Sequence, residues 1–267
     1  MKSLRTLMDL RERVALVTGG GGHIGAAICE ALGELGASVA VLDVNKDAVA
    51  KVARQVQDTF EVKTLPLAVD LGQQEAVQSV PAQVVEKFGR LDILVNCAAF
   101  VGTSNLKGWV VPFVEQSPAT WRDALEINLT AAFVLIQACT EALMKSGKGS
   151  IINVSSIYGM VGPDMRLYEG TSMGNPAAYA ASKGGMLQLT RWLAAVLAPG
   201  IRVNAVTPGG VLRGQPETFQ QRYVERTPLG RMATEEDLKG AAAYLASDLS
   251  SYVTGQNLVV DGGWTVW

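Results

Sequence analysis

Short apolar runs alternate along the chain with longer segments that repeat apolar residues at helical spacing. The runs 14–18, 38–42, 63–69, 92–96, 150–154, 201–206 and 258–260 read as strands. Helices are predicted over 24–35, 47–58, 73–88, 119–145, 177–197 and 234–245, with Gly36 and Gly89 as stops. Strands that are apolar on both sides, each followed by a helix, predict an α/β fold. Its core is a doubly wound parallel sheet of about seven strands with helices on both faces.

The alternation is unbroken, so a single domain over 1–267 is expected. Three connections, 100–118, 158–176 and 211–227, are too long for simple turns. Each follows the carboxyl end of a strand, where ligands bind in open α/β sheets, so these are the expected substrate loops.

The first strand runs into Thr18-Gly19-Gly20-Gly21-Gly22-His23-Ile24-Gly25 and then a helix. Glycines let the backbone turn sharply and approach a pyrophosphate, and the helix N-terminus offers free N–H groups. Gly20, Gly22 and Gly25 have the G-x-G-x-x-G spacing, and the strand-to-helix context supports it. His23 either sits near the pyrophosphate or caps the helix at the surface. Asp43 ends the second strand, 18 residues after Gly25. An acid there accepts from the ribose hydroxyls of NAD and repels the extra phosphate of NADP. NAD is therefore the expected cofactor.

Tyr179 and Lys183 stand four apart at the start of a predicted helix and share one face. An ammonium beside a phenol favours the phenolate, which brings Tyr179 toward acid/base work at neutral pH. Ser155 and Ser156 follow the fifth strand, where a hydroxyl can reach a substrate oxygen. Asn128 lies inside the long helix, and Asn is a poor helix former, which points to a polar task.

Composition narrows the reading. The 267 residues are 48% hydrophobic, which supplies a sizeable core. A net charge of -2 argues against nucleic acid as a partner. His23 is the only histidine, so a His-based metal site or a Ser-His-Asp triad is not expected, and no metal is expected. Cys29, Cys97 and Cys139 have no metal or redox spacing and read as buried thiols in a reducing compartment. The first 13 residues are no secretory signal, and no stretch reads as a run of roughly 18 apolar residues. A cytoplasmic protein with no membrane partner is the expectation.

Taken together, these motifs resemble the short-chain dehydrogenase/reductase family across nearly the whole chain. That implies a Rossmann-type fold. Thr18–Gly25 is similar to the family's T-G-x-x-x-G-x-G, with His23 in place of a glycine. Asp70, with Leu71 beside it, matches the acid that holds the adenine. Asn96-Cys97-Ala98-Ala99 is similar to the N-N-A-G turn, with two departures. Pro208-Gly209, with Val211, matches the stretch that lines the nicotinamide. The resemblance thus implies a dinucleotide site built from Gly19, Gly22, His23, Ile24, Gly25, Asp43, Asp70, Leu71, Asn96, Ala98, Tyr179, Lys183, Pro208, Gly209 and Val211.

Asn128, Ser156, Tyr179 and Lys183 match the family's catalytic tetrad. Tyr179 would exchange a proton with the substrate, Lys183 would lower its pKa and bind the ribose, and Ser156 would polarise the substrate oxygen. Asn128 would hold a water in a proton relay. Hydride would pass between the nicotinamide and the carbon of a secondary alcohol or ketone.

Two departures concern the site. Ser156 and Tyr179 are 23 apart, more than the family usually shows, so 160–176 must loop out beside the substrate. Arg213 stands where the family usually has a Thr. The loop residues also resemble a branch associated with bacterial surface-sugar synthesis, including the legionaminic acid route, which implies a sugar-derived substrate. Arg166, Arg213 and Arg222 could then meet phosphate or carboxylate, and Tyr158 and Tyr168 a sugar ring. The resemblance implies a homotetramer, with Trp264 and Trp267 as candidate interface anchors. Three readings stay open beside this one: a sugar-nucleotide epimerase or dehydratase with bound NAD, a non-catalytic NAD-binding regulator, and the same chemistry with NADPH.

Overall fold

The computed structural model describes residues 1–102 and 104–267. Thr103, inside the first expected substrate loop, lies outside the described residues.

Seven parallel strands form one sheet in the order β3-β2-β1-β4-β5-β6-β7. They are β1 (Val14–Thr18), β2 (Ser38–Asp43), β3 (Thr64–Ala68), β4 (Ile93–Asn96), β5 (Gly149–Val154), β6 (Ile201–Pro208) and β7 (Asn257–Val260). β1 pairs with β2 on one side, Thr18 opposite Leu42, and with β4 on the other, Thr18 opposite Asn96. Strand order therefore reverses at β1, and the crevice above that reversal is where this fold binds ligands. Pro66 is tolerated because β3 is an edge strand.

Side chains alternate across the central strands, and both faces are dry. From β1, Ala15 and Val17 enter one apolar core and Val14 and Leu16 the other. The first core is closed by α2 (His23–Glu34), α3 (Lys46–Phe60) and α9 (Lys239–Ala246). The second is closed by α4 (Gln74–Phe88), α6 (Ala131–Ser146) and α7 (Ala177–Val196).

Several elements differ from the expected ones. A short α1 (Leu4–Met8), capped by Ser3, precedes the first strand. The segment read as one helix over 119–145 is α5 (Pro118–Leu125), a π-helical turn (Glu126–Thr130) and α6. Pro118–Ser146 is long and apolar enough to cross a membrane by length and composition, contrary to the expectation that no stretch is. Its apolar residues serve the core: Val134, Leu135, Ile136, Cys139 and Leu143 are buried with the second core.

The 211–227 connection is not a plain loop either. It contains α8 (Glu217–Glu225), which buries Phe219 and Tyr223 at i and i+4. The 158–176 insertion carries a 3₁₀ turn (Met165–Tyr168) whose Leu167 and Tyr168 are buried. Trp264 is buried with these residues, so it is a core residue and no exposed interface anchor; Trp267 is exposed.

Candidate active site

Two cavities of about 470 and 720 Å³ meet above the carboxyl ends of the strands. His23, Ile24, Cys97, Ala99, Val101 and Arg213 border both.

The first cavity begins at the glycine turn. Gly19 has φ +64°, and a Cβ there would meet the Ala98 backbone at 2.8 Å. A Cβ on Gly25 would lie 2.1 Å from the Gly19 carbonyl. The turn thus packs backbone on backbone, leaving the start of α2 open to the cavity. Thr18 braces the opposite wall: its hydroxyl accepts from the N–H groups of Cys97 (3.1 Å) and Ala98 (3.3 Å). Gly19, Gly22, His23, Ile24, Gly25, Asp43, Asp70, Leu71 and Ala98 all line this cavity. Asp43 accepts from the Asn45 N–H through Oδ1 at 3.1 Å. Asp43 Oδ2 has no protein donor among the described residues.

Asn96 does not join them. Its buried amide donates to Asn153 Oδ1 at 2.9 Å, and Asn153 donates to Thr190 at 2.9 Å. The side chain bolts β4 to β5 and α7, and Asn96 lines neither cavity. His23 is exposed at the start of α2 and lies 3.6 Å from Glu235, which also accepts from Arg213 Nε at 3.0 Å.

The second cavity holds Ser156, Tyr179, Lys183, Pro208, Gly209 and Val211. Pro176, which precedes α7, and its helical spacing put Tyr179 and Lys183 on one face, the Lys183 ammonium 5.9 Å from the Tyr179 ring centre. Lys183 is buried, and Nζ donates to the Val154 carbonyl at 2.8 Å. Burial pulls its pKa down to about 8. Burial pushes the Tyr179 phenol up, while the Ser156 hydroxyl and, more weakly, Arg213 draw it down.

The two serines after β5 divide their work. Ser155 donates to the Lys183 carbonyl at 2.9 Å and fixes α7, whereas Ser156 faces Tyr179.

Asn128 is buried beneath this cavity. The π-helical turn presents its amide to the Phe100 backbone, accepting from N–H at 2.7 Å and donating to C=O at 3.1 Å. It also donates to Ser182 Oγ (3.1 Å), which donates to the Tyr179 carbonyl (2.9 Å). The side chain thus ties the π-helical turn to the Phe100 backbone and, through Ser182, to the Tyr179 carbonyl.

Of the three arginines expected near substrate, only Arg213 lines the cavities. Arg166 pairs with Asp164 at the surface, and Arg222 donates to the Arg166 and Glu169 carbonyls. Cys97 is a cleft residue rather than a core thiol, with burial pushing its thiol up to about 11. Asn175, Met173, Gln215, Phe219 and Tyr223 also line the second cavity. Phe219 and Tyr223 lie in a segment that reads as a loop, and Asn175 had no signal.

Known proteins are similar to this chain over nearly its whole length. A family model described as "Enoyl-(Acyl carrier protein) reductase" matches residues 21–265. The cis-4-hydroxycyclohexanecarboxylate dehydrogenase of Sinomonas cyclohexanicum is 38% identical over 95% of this chain and 97% of its own. The galactitol 2-dehydrogenase (L-tagatose-forming) of Cereibacter sphaeroides is 34% identical over 98% and 99%. A solved NAD+-bound xylitol dehydrogenase superposes with a TM-score of 0.85 at 31% identity, covering 95% of this chain and 99% of that one. The NADPH-dependent 3-quinuclidinone reductase of Rhodotorula rubra gives 0.85 at 26%, covering 100% and 96%. The chain belongs to the short-chain dehydrogenase/reductase family. It is an NAD(P)-dependent oxidoreductase acting on CH–OH groups.

Proposed function

We propose that this chain acts as one dinucleotide-binding and catalytic domain, exchanging hydride between NAD and a secondary alcohol or ketone on a sugar-like or ring substrate. The observation that carries the reading is the gathering of Tyr179, Ser156 and Lys183 in a cavity continuous with the glycine-loop crevice. The named activities of the two relatives above, on a ring alcohol and on galactitol, agree with it.

The residues fit a dinucleotide. The open start of α2 suits a pyrophosphate, and Asp43 at the end of β2 suits a ribose diol. Bound NAD supplies the hydride acceptor. The protein then handles the proton: Tyr179 takes it from the substrate hydroxyl, and Ser156 holds the same oxygen. Lys183, fixed by the Val154 carbonyl at 2.8 Å, would hold the cofactor's ribose and favour the charged form of Tyr179. Asp43 selects NAD, because a 2′-phosphate would face its carboxylate. The protein works in the cytoplasm as a homotetramer.

Fluorescence titration with NADH and NADPH tests the cofactor part. NADH is expected to bind at least tenfold more tightly, and Asp43→Ala to weaken NADH and shrink that ratio. Equal affinities in the native protein, or an unchanged ratio in the variant, would refute the role of Asp43.

A further inference from the structure

Two positions at which the chain departs from the family's pattern meet beside the glycine turn. His23 stands in place of a glycine and Arg213 in place of a threonine. In the fold both converge on one carboxylate. His23 Nδ1 lies 3.6 Å from Glu235 Oε1, and Arg213 Nε donates to the same oxygen at 3.0 Å. The guanidinium therefore sits close to the first residue of α2.

The backbone holds Arg213 there. Val211 pairs with Ala233 in a parallel bridge, and the Leu212 N–H donates to the Ala233 carbonyl at 2.9 Å. The Arg213 N–H donates to Gln215 Oε1 at 2.7 Å. Arg213 borders both cavities, and its charge acts inside them: it draws down the Cys97 thiol and the Tyr179 phenol. Glu235 takes Nε, while the N–H groups on Nη1 and Nη2 have no acceptor among the described residues.

The first cavity lacks any other cation of this kind. Its carboxylates, Asp43 and Asp70, repel phosphate. The start of α2 meets a pyrophosphate with backbone N–H groups alone, since its N-cap is Gly22. Among the described residues, Arg213 is the one Lys or Arg lining this cavity.

We propose that Arg213, steadied by Glu235, binds the pyrophosphate of the dinucleotide through Nη1 and Nη2. A guanidinium suits this task, because one part of its fork holds a carboxylate while the rest meets phosphate oxygens. A threonine at this position would offer one hydroxyl and no charge. The proposal rests on the dinucleotide reading above and adds a cationic contact to the glycine turn.

The test measures binding to the full chain, NADH by fluorescence and ADP-ribose by its displacement of NADH. Arg213→Met keeps the stem and removes the charge. It should raise both dissociation constants about fivefold or more. It should also make NADH binding less sensitive to added salt than in the native protein. Tm reports whether the fold is kept, and Arg213→Gln, which can still donate to Glu235, decides by the same readouts if Arg213→Met unfolds. A smaller rise for NADH, an unchanged salt dependence, or a loss for NADH without one for ADP-ribose overturns the contact and leaves the dinucleotide reading standing. Native protein that binds neither ligand removes both.

Discussion

Lys183 shows at the scale of one residue how function strains the fold. Its ammonium is buried, with the Val154 carbonyl as its hydrogen-bond partner, and its pKa falls from 10.5 to about 8. A folded pKa below the unfolded one means that folding expels a proton between those values. The penalty is full below pH 8, and stability is recovered as pH rises from 8 toward 10.5. Lys183→Met removes that titration. The stability of the native protein relative to Lys183→Met should therefore improve between pH 7 and pH 10, as followed by thermal unfolding. A difference that is constant over this range would mean that Lys183 is not buried in charged form. The sequence showed Tyr179, Lys183 and Ser156 clearly, because their spacing and chain position carry the chemistry. It did not show the partners of amide side chains. The Asn96 and Asn128 side chains are hydrogen-bonded to other parts of the protein. Such partners come from elements distant in the chain, which local spacing does not report.

Among the elements, the strands were legible because central parallel strands are dry on both faces and read as apolar runs. The π-helical turn at Glu126–Thr130 was hidden, since one extra residue in a helical turn leaves the apolar pattern on either side intact. α8 was hidden for another reason: nine residues with Phe219 and Tyr223 as their buried side chains give too little periodicity between glycine- and proline-rich flanks. The contact between the turn after β5 and α7 is tighter than any motif suggests. A Cβ on Gly159 would lie 2.7 Å from the Lys183 carbonyl carbon and oxygen. Gly159→Ala should push Lys183 off its Val154 and Ser155 partners, costing about 1–3 kcal/mol by overpacking. Each kcal/mol corresponds to about 2–4 °C in Tm for a domain near this size. Calorimetry together with kcat/KM checks this, with at least a tenfold loss of activity expected. Native activity and Tm in the variant would show that the turn yields without moving α7.

For the molecule as a whole, the reversal of strand order at β1 places the glycine turn, Asp43, Ser156, Tyr179 and Lys183 around one crevice. The insertion, α8 and the C-terminal Trp264 then close its substrate end as a single aromatic wall. The outer surfaces of α5, α6 and α7 still carry exposed Trp121, Phe133, Met144, Trp192 and Val196. Apolar surface of this kind marks contact faces, in keeping with the proposed homotetramer. Light scattering should give a mass about four times the 28.3 kDa of one chain. Trp192→Glu should lower that mass; a native protein that scatters as a monomer would contradict the assembly.

The central claim is that Tyr179 moves the proton in an NAD-linked oxidation of a secondary alcohol. The most direct measurement compares NADH formation at 340 nm by the native protein and by Tyr179→Phe. Galactitol, cis-cyclohexane-1,2-diol and 4-hydroxycyclohexanecarboxylate are the substrates to offer. The native protein is expected to oxidise at least one of them. Tyr179→Phe should be slower by about 10³-fold or more, the upper range for a general acid/base together with lost positioning, while binding NADH about as tightly. Turnover by Tyr179→Phe within tenfold of the native rate would contradict the account.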